Sequence, residues 1–384
     1  MICKTESVNN VLCRAIGQSL FLSQNISLFN QNIDFKYLRQ RIGYAYFMKA
    51  NYFESQKQYE KALMFDENDI NTLLYLYYCG LNIGNRAYTR FREGLLPNNL
   101  KNNFKIKPVK VVSVVDVEYN YKANNSESRG NPTYIRGGVE SDIGYRLNLY
   151  QSFSNYSQVN DSSIIKQKEY FALLGWAVSS HLVFNVGYHY INSDVTNSYS
   201  YNTYIPGPHN SLITLRTTDT ISTAYSGNLF MTRLSYTLNR FDFSVSGSVM
   251  KYNSVYTQQY GIHAGVTLPG KANVYLKSSL YGMFDSNMNN RLIFSQSAGT
   301  LFFKNLWLEG NAVFGNQDNF ADNNGLYVYN SLDPTTFKAG ISLFWYLPKN
   351  ITLYTNYTFD NKYIIAEGLD YAQNSFTGGI IWKL

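Results

Sequence analysis

From Val109 to Leu384, apolar and polar residues alternate in one stripe after another, each about ten to fifteen residues long and divided by turn residues. Tyr260, Ile262, Ala264, Val266 and Leu268 fall on one face while Gly261, His263, Gly265 and Thr267 fall on the other, and Pro269-Gly270 ends the run. Phe337, Ala339, Ile341, Leu343, Trp345 and Leu347 repeat the pattern, as do Phe241, Phe243, Val245 and Val249. A period of two marks β-strands. Tight polar turns fall at Asp142-Ile143-Gly144, Ser179-Ser180, Asn239-Arg240, Pro269-Gly270-Lys271, Lys304-Asn305 and Pro348-Lys349-Asn350. Between them lie polar connections at residues 122–132, 157–163, 193–221, 284–291, 316–334 and 361–371. Strands well beyond the usual ~5–6 residues, with short turns at one end and long loops at the other, predict an antiparallel transmembrane β-barrel of about 14 strands. A soluble β-sandwich also alternates, but around a dry apolar core with its polar face outward.

Alternation assigns faces as well as strands. A charge facing lipid costs about 2–4 kcal/mol at the bilayer midplane, so charged residues within the stripes are expected to line the lumen. These are Lys110, Asp116, Glu118, Arg146, Arg233, Lys277, Glu309 and Lys338. Both signs occur, which favours internal salt bridges that fill or narrow the lumen over a ring selective for one ion. The first strand, Val109 to Tyr121, is expected to run outward and the last to return at Leu384, so the chain before the barrel lies in the periplasm and the strand number is even. In that last strand Phe376, Gly378, Ile380, Trp382 and Leu384 alternate with Ser375, Thr377, Gly379, Ile381 and Lys383. This resembles the C-terminal strand signal read by barrel-inserting machinery, with Leu384 in place of the favoured final aromatic.

Between Asp34 and Leu95 the period changes to 3.6, the spacing of amphipathic helices. Ile42-Gly43 is followed by Tyr46, and Tyr59 by Ala62. These positions resemble the tetratricopeptide repeat, a helix-turn-helix unit of ~34 residues in which a small residue lets two helices approach and aromatics fill the space around it. Ser55 replaces the usual Ala, and Glu67 stands where Pro is common. A second pair is expected at Asn71–Leu81 and Asn85–Leu95, joined by Ile83-Gly84, and a further atypical pair at residues 8–30. The resulting division is a TPR-like helical domain at 1–98, a polar linker at 99–108 and an outer-membrane barrel at 109–384.

Composition agrees with a barrel. Aromatic residues make up 16%, including 35 Tyr, and charged residues only 15%, below the roughly 25% of soluble domains. Mean hydropathy is −0.27, and no stretch approaches the ~20 apolar residues of a spanning helix. The net charge of +7 is spread along the chain without a polybasic run, which argues against nucleic acid and leaves an anionic headgroup or polymer as a partner. Met1 to Glu6 lacks the apolar core of a secretory signal, and no apolar run precedes Cys13 as it would a lipid-attachment site. Cys3, Cys13 and Cys79 have neither disulfide nor metal spacing. No cofactor or metal motif is present, and the acidic pieces Asp318–Asp322 and Asp360–Asp370 are too loose for calcium ligands. Of four histidines, His181 sits at a turn, His209 in the 193–221 loop, and His189 and His263 on lumen faces; His189, near Ser193 and Asp194, has no nucleophile motif around it.

Helical repeats ahead of a barrel resemble outer-membrane proteins with periplasmic tetratricopeptide repeats, among them exopolysaccharide exporters and the YaiO-like barrels. The resemblance implies a non-enzymatic barrel whose periplasmic module docks a protein partner, in export or envelope assembly, with a polysaccharide or other substrate passing the barrel. A passive diffusion porin with a small periplasmic cap is the competing expectation, and a rim enzyme the third.

Overall fold

The computed structural model describes residues 34–384 apart from 107, 207–211, 269, 271, 288, 331–332 and 366. The helix pair expected at 8–30, Cys3, Cys13 and His209 lie outside these residues. Helices α1 (Lys36–Met48), α2 (Tyr52–Leu63), α3 (Ile70–Ile83) and α4 (Arg86–Leu95) pack in sequence as two hairpins, and a short α5 (Asn98–Asn103) leads to the barrel. Asn51, Asp69 and Asn85 cap α2, α3 and α4 by accepting the backbone N–H three residues on, which starts each helix where the sequence turns. The α1–α2 contact is close because Gly43 has no side chain: a Cβ there would lie 2.9 Å from the Tyr59 ring. Ile42, Tyr59 and Ala62 are buried there, and Tyr46 packs at the edge of the Leu38–Ile42–Ala45 cluster. Cys79 is sealed beneath them with Sγ 3.3 Å from Ser55 Oγ, and burial pushes its thiol up to about 12, which makes it unreactive. The stretch expected as linker begins inside α5, because Leu100 and Ile106 bury themselves against Leu73, Leu74, Tyr77 and Leu96.

Strands β1 (Val114–Asn124), β2 (Thr133–Ile143), β3 (Leu147–Val159), β4 (Ser163–Ala177), β5 (Leu182–Pro206), β6 (Leu212–Leu238), β7 (Phe241–Tyr252) and β8 (Val255–Thr267) follow one another as antiparallel neighbours. They are continued by β9 (Tyr275–Asp285), β10 (Arg291–Phe303), β11 (Leu306–Phe314), β14 (Thr335–Leu347), β15 (Ile351–Ile364) and β16 (Leu369–Lys383). Pairing of β1 with β16, from Val114↔Lys383 to Asn124↔Gln373, closes a barrel of 14 strands and leaves no sheet edge around its body. The remaining two strands, β12 (Phe320–Asp322) and β13 (Tyr327–Tyr329), form a small separate hairpin.

Large apolar side chains point outward from the wall and stay exposed, among them Val117, Phe153, Phe230, Ile262, Leu292, Ile341 and Trp382. The inward positions beside them carry buried polar groups, including Asp116, Glu118, Arg136, Gln167, Ser193 and His263. This is the reverse of a soluble β-sandwich, and apolar surface on that scale is stable only against hydrocarbon. Strands of 11–15 residues, as in β1 and β4, are long enough for the ~9–11 that cross a bilayer. No helix among the described residues is long and apolar enough to cross a membrane.

Three expectations change. Strand β1 begins at Val114 and not at Val109, because its ladders start at Val114↔Glu140 and Val114↔Lys383 and a strand needs a ladder; Lys110 therefore lies exposed ahead of it. Residues 193–221 are largely not a loop: β5 and β6 stay paired from Leu182↔Tyr236 to Pro206↔Leu212, well beyond the last β4 pair at Asn197 and the last β7 pair at Gly227. Their Thr and Tyr residues favour the extended state once each strand supplies the other's hydrogen bonds. The connections at 157–163 and 361–371 shrink to residues 160–162 and 365–368, leaving 315–334 as the longest at that end.

Candidate functional site

The β11–β14 connection does not extend away from the barrel. It turns into the lumen, and the turn depends on Gly315, whose φ is +113° and where a Cβ would lie 2.4 Å from the Leu292 carbonyl oxygen. The β12–β13 hairpin then carries Phe320 into a pocket of Tyr281, Met283, Ile293 and Val313, with Tyr329 stacked beside it. Ala321 fits against Leu229, Met231 and Met250. Its backbone is paired as in a sheet, but by a side chain: Gln259 Nε2 donates to Ala321 O at 2.9 Å and Ala321 N donates to Gln259 Oε1 at 3.0 Å.

Polar groups fasten the rest of this plug to the wall. Tyr327 donates to Glu118 at 3.0 Å, Asn324 accepts from Arg233 at 2.9 Å, and the Asp318 carbonyl accepts from Arg291 at 2.8 Å. Lys338 bonds Tyr329, and one His189 ring nitrogen lies 2.7 Å from the Gly325 carbonyl. Where the plug returns to the wall, Asp333 receives Arg129 through both carboxylate oxygens at 2.6 and 3.0 Å and Tyr371 at 3.1 Å. Behind Tyr327, Arg136 joins Asp116 at 2.7 Å and Glu118 at 3.3 Å, and Tyr354 also bonds Glu118. Each charge in this buried cluster has a partner of opposite sign, the condition for tolerating it there.

At the helical end the lumen opens into a cavity of about 970 Å³, bounded by the inner faces of β6 to β9, Trp307 of β11, and the α1–α2 turn with the end of α3. Beyond Arg233 and His263, against the plug, lies a separate void of about 20 Å³, room for roughly one water. His263 is held between Ser246 at 3.0 Å and Ser279 at 2.8 Å.

The helices touch the opposite side of the same mouth, at the β2–β3 and β4–β5 turns. Arg86 and Arg90 reach Asp142 at 2.7 and 3.2 Å, and Arg86 also pairs with Glu140. Lys101 donates to Tyr145 at 3.0 Å and Arg92 to Ser180 at 3.2 Å. His181 Nε2 lies 3.0 Å from Glu60. That carboxylate raises the His181 pKa above 6.5, burial acting against it; for Glu60, burial acts upward but bonds from His181, Gln56 and Tyr88 outweigh it and hold the pKa below 4.5.

Asp116, Glu118, Arg233, Lys277, Glu309 and Lys338 all stand on inward positions of their strands, and Asp116, Glu118, Arg233 and Lys338 meet the networks just described. Lys110 and Arg146 are not in the lumen. Arg146 sits in the β2–β3 turn with its guanidinium 4.6 Å from the centre of the Phe91 ring, because an α4 aromatic is available there. Phe376, Ile380 and Trp382 point outward from β16, and Leu384 donates its N–H to Ser113 O at 3.0 Å. Sequence reasoning missed Arg136, although it shares the inward parity of Glu140 and Asp142 on β2; it missed Glu169, 3.4 Å from His189, for the same reason. His189, Ser193 and Asp194 do not converge: Ser193 donates to Gln167, while Asp194 is on the outward parity. Among the described residues no group of His, Cys, Asp and Glu is arranged to hold a metal.

No protein-family model matches the sequence, and no curated relative matches it. Among solved structures it is similar to a bacterial polysaccharide outer membrane secretin at 10% identity, with 72% of this chain and 100% of that chain covered and a TM-score of 0.43. It is also similar to a Pseudomonas aeruginosa FadL homologue at 6% identity, covering 77% and 93%, TM-score 0.45. The Pseudomonas putida toluene transporter TodX gives 6%, 78%, 93% and 0.45. The chain has an outer-membrane β-barrel fold.

Proposed function

We propose that the protein is a non-enzymatic outer-membrane channel, held closed by its own β11–β14 connection, with the helical hairpins in the periplasm at the inner mouth. The plug carries this reading: the β12–β13 hairpin lies across the lumen, bonded to Gln259 of β8 on one side and to Glu118 of β1 on the other, with a sizeable cavity on the helical side of it. A lumen meant only for stability needs no such cavity, and a passive porin leaves an open aqueous path. The placement of His189 between a plug carbonyl and Glu169, a carboxylate also bonded by Ser154 and Gln167, supports a structural role for the one histidine considered for catalysis.

Planar-bilayer conductance of the full chain and of a variant in which residues 317–331 are replaced by a short Gly-Ser linker tests the proposal. The intact protein is expected to be silent or to flicker, and the variant to give a steady conductance. Steady large conductance from the intact protein would replace this reading with the passive porin, and silence from a folded variant would sink it.

The helical hairpins support a second role, as a TPR-like module that docks a periplasmic partner. The Gly43–Tyr59 approach and the buried Ala62 fit that repeat, and Tyr37, Met64 and Phe65 stay exposed with the barrel in place. Crosslinking capture from native membranes that is lost on Met64→Glu and Phe65→Glu would support it; capture unchanged by those substitutions would remove this surface from consideration.

A further inference from the structure

The cavity at the helical end has a chemical character of its own. Three cations line it, Arg233, Lys277 and Lys49, against one carboxylate, Asp242. Among the described residues none of the three cations forms a salt bridge. Arg233 bonds only neutral groups, Ser244 at 2.6 Å and Asn324 at 2.9 Å. Lys277 stands on the inward parity of β9 between Tyr275 and Ser279, yet its side chain is exposed, so its ammonium projects into the cavity. Elsewhere in the lumen the inward arginines Arg136 and Arg291 are each ion-paired, at 2.7 and 2.9 Å. Asp242, Glu309 and Asp322 act on Lys277 only through space, none within salt-bridge distance, so its ammonium keeps its donors for an anionic group.

On the same wall is an aromatic platform. Tyr275 and Trp307 stack in parallel, centroids 5.8 Å apart and planes 7° from coplanar, although their strands are separated by β10. The stack exists because the intervening inward residue is Gly299, where a Cβ would lie 2.3 Å from Tyr275 and 2.9 Å from the Trp307 ring nitrogen. Tyr52 and Phe53, from the start of α2, face the same space. A volume of about 970 Å³ lies at the upper end of the usual small-molecule range of roughly 300–1,000 Å³.

We infer that this vestibule binds a small organic anion with a flat ring body, the ring on the Tyr275–Trp307 face and the anionic group toward Lys277 and Arg233. The inference deepens the channel reading by naming a solute class, and so rests on it for its biological meaning, but binding itself is measured without conductance. The test is calorimetric titration of the full chain in lipid nanodiscs with 2-naphthoate and with its uncharged counterpart 2-naphthamide. Naphthoate is expected to saturate at one site and to bind about tenfold tighter than the amide, the size of one charge-assisted contact. Lys277→Gln removes that preference while leaving amide binding, Lys277→Arg restores it, and Trp307→Ala weakens both ligands. Heat-modifiable migration on gels confirms that each variant still holds a folded barrel. Equal affinity for the two ligands, no saturable binding of naphthoate, or a naphthoate preference unchanged in folded Lys277→Gln would each overturn the inference. If binding fails while the plug-replaced variant still conducts, the vestibule site alone is lost; if binding holds and that variant is silent, the channel reading alone is lost.

Discussion

The two ends of this lumen are filled in different ways. At one, the β12–β13 hairpin is buried inside the wall, seated by Phe320 in an apolar pocket and by Gln259 mimicking a neighbouring strand. At the other, the helices rest on two turns through contacts that include half-exposed arginines, and they leave the β6–β9 side hollow. The comparison separates a fixture from a cap. Buried, mutually satisfied groups release only at the cost of leaving partners unpaired, whereas partly solvated ion pairs exchange with water at little cost. The plug should therefore be the rigid element and the helical cap the adjustable one.

Substitutions that test this contrast rank accordingly. Arg136→Ala should have the largest effect, about 3–5 kcal/mol, because Asp116 and Glu118 are left buried without their cation. The urea midpoint of the detergent-solubilised barrel measures it, and a loss under about 1 kcal/mol would mean that the network is not what ties β1 and β2 to the plug. Phe320→Ala should cost about 3 kcal/mol of plug seating by emptying the pocket of Tyr281, Met283, Ile293 and Val313. Hydrogen exchange at residues 317–329 should rise while the strands stay protected; equal rises everywhere would show that plug and wall are one cooperative unit.

At the helical end the effects should be smaller. Asp142→Asn weakens the Arg86 and Arg90 contacts and should loosen docking by about 1 kcal/mol, reduced because the Arg86 side chain is 41% exposed. Faster protease cleavage near residues 104–112 reads the loosening, and an unchanged rate would remove these contacts from the docking interface. The smallest effect is pH-dependent. The raised pKa of His181 means that its contribution is full below about 6.5 and fades as pH rises through that raised value. The lowered pKa of Glu60 means that its contribution is full above about 4.5 and is lost as pH falls through that lowered value. Docking should thus be firmest between these limits and weaken toward alkaline pH, and His181→Gln should flatten that dependence. A variant that keeps the wild-type pH profile would show that the pair is silent.

Much of the fold was legible locally. The period of two placed the strands, the sparse charge and exposed aromatics pointed to lipid, and the Asp34–Leu95 change of period located the helices that Asn51, Asp69 and Asn85 begin. Face assignments followed wherever a charge sat within a paired strand, as for Glu118 and Lys338, and departed at Lys110 and Arg146, where alternation continued past the last ladder partner. The site was far less legible. Residues 316–334 read as an ordinary polar connection, since nothing in their own composition says whether a loop faces water or lumen.

Sequence by itself determined that this chain makes a cylinder with an apolar exterior, because alternation is a local property and the surrounding lipid selects the face. Tertiary structure alone decided that the cylinder is stoppered at one end and hollow at the other. Tyr327 meets Glu118 across 209 residues of chain, and Tyr275 meets Trp307 across a glycine of the strand between them. Contacts of that span exist only once the barrel has closed and its inner faces confront one another.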